Sequence, residues 1–226
     1  MHHEIHVLSD DAAVAREAAS YVADRARRCV DRQGGFTFAV SGGHTPWRMF
    51  AELADLEVPW QQVTIYQVDE RAAPLDDPDR NLEHLRVALA DAPAQVVPMP
   101  VEDDDLDAAA RRYAALLPDR FDLVHLGLGP DGHTASLVPD DPVLEVGDRD
   151  VAVTGHEYQG RRRMTLTYPG LRRANQLLWL VTGPGKAQPL AALMAGSTDI
   201  PAGRVSAAES LVVCDGAAAA LLDVRP

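Results

Sequence analysis

The segment Phe121–Leu128 (Phe-Asp-Leu-Val-His-Leu-Gly-Leu) is a nearly continuous apolar run that leads into glycines. A strand with one wet face alternates polar and apolar residues. A strand apolar on both sides of the pleat must be covered on both faces, which implies a parallel sheet sandwiched by helices. The rest of the chain fits that constraint. Glu4–Leu8 reads as a strand, and Ser9 or Asp10 can cap a helix from Asp11 to about Gln33. In that helix Val14, Ala18, Val22, Ala26 and Cys29/Val30 share one face, and Gly34-Gly35 ends it. Further strands are expected at Phe36–Val40, Val63–Val68, Val96–Met99, Asp150–Val153, Met164–Tyr168, Leu177–Thr182 and Leu211–Cys214. Helices are expected after Thr45 (as cap, with Pro46 at the first position), at Asn81–Leu89, Leu106–Leu117, Gly185–Met194 and Ala217–Leu222. With no repeat, linker or break in composition, the sequence predicts one α/β domain over residues 1–226, built on a mainly parallel sheet with helices on both faces.

Charge narrows the function classes. The formal net charge is −13 and no basic face is visible, so no nucleic-acid partner is expected. No apolar run approaches the roughly 18 residues that span a membrane, and the N-terminus lacks a charged-then-apolar leader pattern. Cys29 and Cys214 read as reduced, buried thiols, and the expected compartment is the cytoplasm. No histidine, cysteine or carboxylate cluster has metal-ligand spacing, so neither a metal nor another cofactor is expected. Of 21 basic residues, only Lys186 is a lysine, which draws attention to its position.

Ligands of parallel sheets bind beyond the carboxyl ends of the strands, and four such places carry chemistry. Ser41-Gly42-Gly43-His44-Thr45 offers hydroxyls, close backbone approach and a helix N-terminus to a phosphate, or else forms a simple tight turn. It matches neither the Walker nor the dinucleotide pattern. Asp69-Glu70-Arg71, with Asn81 downstream, can position a sugar or phosphate; taken alone, a solvated turn is its more ordinary reading. Gly127-Leu128-Gly129-Pro130-Asp131-Gly132-His133-Thr134-Ala135-Ser136 places His133, a natural general base near neutral pH, in a glycine-rich loop. Asp131 can orient its imidazole or help hold a substrate. Gly183-Pro184-Gly185-Lys186 sets the lone lysine at a helix start, where an anion is also favoured. Of Arg161-Arg162-Arg163, the first two read as a solvated turn, while Arg163 can close the same site.

These motifs, in this order and with Arg163-Met164-Thr165-Leu166-Thr167, resemble the 6-phosphogluconolactonases over about residues 36–190. Glucosamine-6-phosphate deaminases share the fold and the first two motifs. Their histidine loop continues Gly-His-Ile-Ala-Phe-Asn-Glu-Pro, whereas this chain continues Thr134-Ala135-Ser136-Leu137-Val138-Pro139, and they usually have an aromatic where Arg71 stands. The chain departs from the lactonase pattern at His44, where serine or threonine is commoner, and at Val138, where phenylalanine is common.

The resemblance implies a three-layer, modified Rossmann-like fold of the glucosamine-6-phosphate deaminase type. It also implies hydrolysis of 6-phospho-D-glucono-1,5-lactone to 6-phosphogluconate in the oxidative pentose phosphate pathway. His133 then activates water, with Asp131 or a backbone carbonyl setting its tautomer. Lys186, Arg71, Arg163 and the Ser41–Thr45 turn hold the phosphate, and Asp69 and Asn81 contact sugar hydroxyls. N–H groups of Gly42–Gly43 or of Gly129–Gly132 stabilise the oxyanion, and Ser136 is a hydrogen-bonder of the loop. The expected partner is a small sugar-phosphate lactone, with the protein a monomer or weak homo-oligomer. A deaminase or isomerase acting on an amino sugar phosphate, and a non-catalytic sugar-phosphate sensor, are the alternatives.

Overall fold

A computed structural model of the chain describes residues 2–90 and 92–223. Seven strands form a fully parallel sheet in the order β1 (Glu4–Leu8), β10 (Glu209–Asp215), β9 (Gln176–Val181), β6 (Leu123–Gly127), β2 (Phe36–Val40), β3 (Val63–Gln67), β5 (Gln95–Val97). The apolar run that predicts such a sheet lies at its centre. Leu123 of β6 packs with Leu178 and Leu180 of β9 and Leu211 and Val213 of β10 on one face. Val124 and Leu126 join Leu177, Trp179, Val181, Val212 and Cys214 on the other. Successive side chains of a strand point to opposite faces, so an uninterrupted apolar run fills two cores at once.

The first core is closed by α1 (Asp11–Gln33) and α2 (His44–Ala54). The α1 boundaries follow from local chemistry. Asp10 accepts the Ala13 N–H at 2.8 Å, and Gly34, at φ 82°, returns its N–H to the Val30 carbonyl. α3 (Asn81–Ala88) packs beside α2. The second core is closed by α4 (Leu106–Ala114), α5 (Tyr168–Leu171), α6 (Ala187–Met194) and a second sheet. Cys29 and Cys214 are both free and buried, one in each core. Among the described residues no helix is long and apolar enough to cross a membrane.

The second sheet is the main departure from the sequence expectation. It is antiparallel, in the order β4 (Asp69–Arg71), β8 (Arg163–Leu166), β7 (Val151–Val153). Asp69–Arg71 was expected to be a loop, since three charged residues carry no apolar alternation. Their partner supplies the strand: Val68 donates to the Val40 carbonyl in the parallel sheet and accepts from Leu166 N–H in the antiparallel one. One residue thus carries the chain from one sheet to the other.

Two smaller expectations are corrected. Thr45 lies inside α2 rather than capping it, because its hydroxyl pairs with that of Thr182 at 2.7 Å; Gly43, at φ 132°, occupies the cap and brings no side chain. Ala217–Leu222 forms turns, with its first amides returning to Asp215, instead of a helix.

Candidate active site

A cleft of about 460 Å³ opens at the carboxyl ends of β2, β6 and β9, against the second sheet. Ser41, Gly42, Gly43, Thr45, Asp69, Arg71, Asn81, His133, Arg163 and Lys186 all line it, although they come from six separate stretches of chain. His44 reaches its rim, with a largely exposed ring 3.9 Å from Asp11.

Strand alternation explains the division of labour in Asp69-Glu70-Arg71. Asp69 and Arg71 turn to the cleft, while Glu70, fully buried, turns away. Glu70 accepts the amides of Arg71, Asn81 and Leu82 and the side-chain amide of Gln67, each at 2.8 Å, and so fixes the start of α3 beside β4. Asn81 in turn donates to the Asp69 carbonyl at 3.2 Å. Its carboxamide packs so closely on Gly42 that a Cβ there would lie 2.1 Å from Asn81 Oδ1, which is why the position requires glycine. On the cleft face Arg71 stands directly opposite Arg163 in the antiparallel ladder. Like charges in that position repel, so the fold holds two guanidinium groups where an anion would relieve them. Burial pulls Arg163 below its ordinary value; Asp69 opposes the shift and Arg71 adds to it. Asp69 accepts from Ser136 Oγ at 2.6 Å, as expected of a loop hydrogen-bonder, and its other oxygen, Oδ1, is buried without a partner, as is Arg163 Nε.

The turn after β6 presents His133. Its ring nitrogen Nδ1 lies 2.5 Å from Asp131 Oδ1, which also accepts the His133 amide at 3.1 Å. Burial alone would raise the Asp131 carboxyl, but the His133 amide, ring charge and ring hydrogen bond together hold it below the usual carboxylate range. Asp131 thus favours the tautomer with a proton on Nδ1 and leaves Nε2 as the ring's basic atom. Asp131 does not line the cleft; it stands behind the imidazole. Gly129 permits the packing, since a Cβ would lie 2.0 Å from the His133 ring.

Gly132 does not fit the backbone-donor role. Its N–H is spent on the Gly129 carbonyl, its carbonyl accepts from Ala202, and its Cα packs on Ile200. The Gly129 N–H is likewise taken, by the His133 carbonyl. The start of α2, which no side chain caps, also turns backbone donors to the cleft.

Lys186 ends a short 3-10 turn, Pro184–Lys186, before α6. Burial lowers its ammonium from the ordinary lysine value, and Asp131 opposes this. Asp215 at the end of β10 accepts the Gly183 amide through both oxygens (2.9 and 3.1 Å), which fixes the turn that presents the lysine.

Some positions at the cleft escaped the sequence. Tyr158 and Gln159 line the cleft from a hairpin turn with positive φ at Gln159 and Gly160; Gln-Gly ahead of three arginines was its only local signal. Arg161 anchors that hairpin to Asp77 at 2.9 Å, and Arg162, exposed, donates to the Thr154 carbonyl. His125, inside β6, is fully buried. Its Nδ1 accepts the Ser41 amide at 3.3 Å, its Nε2 has no partner, and burial lowers its pKa to about 3.

Fold and site together define a doubly wound α/β protein with a cleft, lined by two arginines and a lysine, beyond the carboxyl ends of its parallel strands. Residues 9–214 match the family described as glucosamine-6-phosphate isomerases/6-phosphogluconolactonase, and the chain belongs to that family. It is 34% identical over 210 residues to the 6-phosphogluconolactonase of a Synechocystis species, covering 87% of each chain. It is 39% identical over 187 residues to that of Mycobacterium tuberculosis, covering 74% of this chain and 76% of the other. The crystal structure of 6-phosphogluconolactonase from Thermotoga maritima superposes with a TM-score of 0.85 at 24% identity, covering 94% of this chain and 99% of that one. A monomeric glucosamine-6-phosphate deaminase gives 0.84 at 21%, covering 96% and 99%, so the fold alone does not separate the two activities.

Proposed function

We propose that this protein hydrolyses 6-phospho-D-glucono-1,5-lactone to 6-phosphogluconate. One observation carries the reading: a histidine fixed at Nδ1 by Asp131 opens into the cleft that also holds the opposed Arg71–Arg163 pair and Lys186. A base for water and a site for a phosphate are thereby joined. His133 Nε2 takes a proton from water as the oxygen attacks the lactone carbonyl, and the imidazolium, stabilised by Asp131, returns the proton to the ring oxygen as the C–O bond breaks. Arg71, Arg163, Lys186 and the uncapped start of α2 with Ser41, Gly42, Gly43 and the backbone amide of Thr45 bind the phosphate. Asp69, through its unpartnered oxygen, and Asn81 meet the sugar hydroxyls. The similarity to named lactonases supports the substrate, and the Thr134-Ala135-Ser136-Leu137 continuation supports hydrolysis over deamination. The chain acts on this reading as one domain, monomeric or weakly self-associating, in the cytoplasm; two buried free thiols fit a reducing compartment.

The test is to generate the lactone in situ with glucose-6-phosphate dehydrogenase and follow its decay. Faster decay with the protein supports the reading. Decay at the uncatalysed rate, or ammonia released from glucosamine 6-phosphate, overturns it.

A further inference from the structure

We propose that Tyr158 is a positioning residue that ties the proton-transfer end of the cleft to its anion-binding end. The inference rests on the reading above for the roles of its two neighbours, and on geometry for the tie itself. The Tyr158 ring lies edge-to-face against the His133 imidazole, with centroids 5.2 Å apart and planes at 65°. The Arg163 guanidinium carbon sits 5.1 Å from the centroid of the same ring. Arg163 also donates to the Tyr158 carbonyl at 3.4 Å and to Gln159 Oε1 at 3.1 Å.

Each contact removes a different freedom. Asp131 holds the imidazole at one nitrogen, which leaves rotation about that hydrogen bond; a ring packed across it restricts the swing of Nε2. Arg163 is buried, faces Arg71 across the ladder and has an unpartnered Nε, so repulsion alone would turn it from the cleft. An aromatic face under the planar guanidinium opposes that and keeps it aimed. The tyrosine itself is held from outside. The turn closes through the Tyr158 N–H to the Arg161 carbonyl at 2.9 Å, Arg161 pairs with Asp77, and Asp141 accepts the amides of Gly155 and His156, each at 2.9 Å. Among the described residues no protein hydrogen bond engages the phenol hydroxyl, so the ring carries the role.

Tyr158→Phe and Tyr158→Leu test this against wild type. Tyr158→Phe should keep kcat and KM within about two-fold. Tyr158→Leu should lose about three- to ten-fold in kcat and as much in affinity for inorganic phosphate, the scale of one aromatic pair and one cation–π contact. Proton NMR gives a readout that a merely structural role would not move. The His133 ring protons should carry a ring-current shift in wild type and Tyr158→Phe that disappears in Tyr158→Leu at unchanged fold. Wild-type activity and phosphate affinity in Tyr158→Leu, or His133 resonances that do not respond to losing the ring, would overturn the proposal. The NMR and phosphate arms need no turnover. A wild-type protein that fails to hydrolyse the lactone therefore overturns the proposed function, while these two arms still decide the role of Tyr158.

Discussion

The two ends of the parallel sheet each carry a depression, and the two differ in chemistry far more than in size. At the amino ends of β2, β3 and β6 a groove of about 390 Å³ is lined by Gln33, Thr37, Gln62, Arg120, Asp122 and Asn175, among others. Its buried carboxylate is saturated: Asp122 accepts Gln33 Nε2 at 2.8 Å and both the amide and hydroxyl of Thr37 at 2.9 Å. No residue lining this groove leaves a buried side-chain polar atom unpaired. At the carboxyl ends the cleft of about 460 Å³ leaves Asp69 Oδ1 and Arg163 Nε unpaired, opposes two arginines and begins a helix without a cap. Buried polar groups are normally satisfied. A depression that leaves several unsatisfied at once is organised around something that will satisfy them. Volume alone would not have distinguished the two.

That contrast predicts where substitutions should reach activity and where only stability. The largest effect belongs to His133→Ala, which should lower kcat about 100- to 10,000-fold with phosphate binding retained; single-turnover decay of the lactone measures it, and near-normal kcat would remove His133 from the chemistry. Next, Lys186→Met should raise KM about ten- to 100-fold with a smaller change in kcat, as expected for one charge-assisted contact; an unchanged KM would take the lysine out of the anion site.

His125, beneath the cleft, gives a pH-dependent prediction. Its folded pKa, lowered to about 3 by burial, lies below the unfolded value of about 6.5. As pH falls the unfolded chain takes up the proton first, so the stability tied to neutral His125 is present above about pH 6.5 and lost as pH drops towards 3. Urea unfolding should therefore show wild type losing about 2 kcal/mol more than His125→Asn between pH 7 and pH 5. Parallel pH slopes for the two proteins would refute the assignment.

The smallest effect on turnover is expected at the other end of the sheet. Asp122→Ala should cost about 1–3 kcal/mol by stranding the Thr37 amide, while kcat and KM stay at wild-type values. A fall in turnover by the folded variant would break the contrast between the two ends.

Local chemistry made much of this legible beforehand. The strand at Glu4–Leu8, the α1 span and its glycine stop follow from periodicity and capping, which neighbouring residues settle among themselves. The loops after β2, β6 and β9 stood out because glycine, histidine and a lone lysine cluster there against the grain of the surrounding sequence. Each of those loops does reach one cleft. Asp69–Arg71 shows the limit. Its three residues are charged and carry no strand signal, and their conformation comes from Arg163–Thr165, far along the chain.

The sequence by itself determined the layers: apolar runs on both pleat faces demand helices above and below, and short-range caps decide where several of those helices start and stop. Only the tertiary structure decided which polar groups remain free. Thr45 spends its hydroxyl on Thr182, Gly132 spends its amide inside its own turn, and Glu70 turns inward to hold α3 while Asp69, one residue earlier, faces the cleft with an oxygen to spare. Tyr158 meets His133 and Arg163 through a hairpin anchored by Arg161 on Asp77. The physical reason is that a residue's type states what it can bond, whereas the partner it reaches depends on contacts between segments that periodicity and composition do not encode.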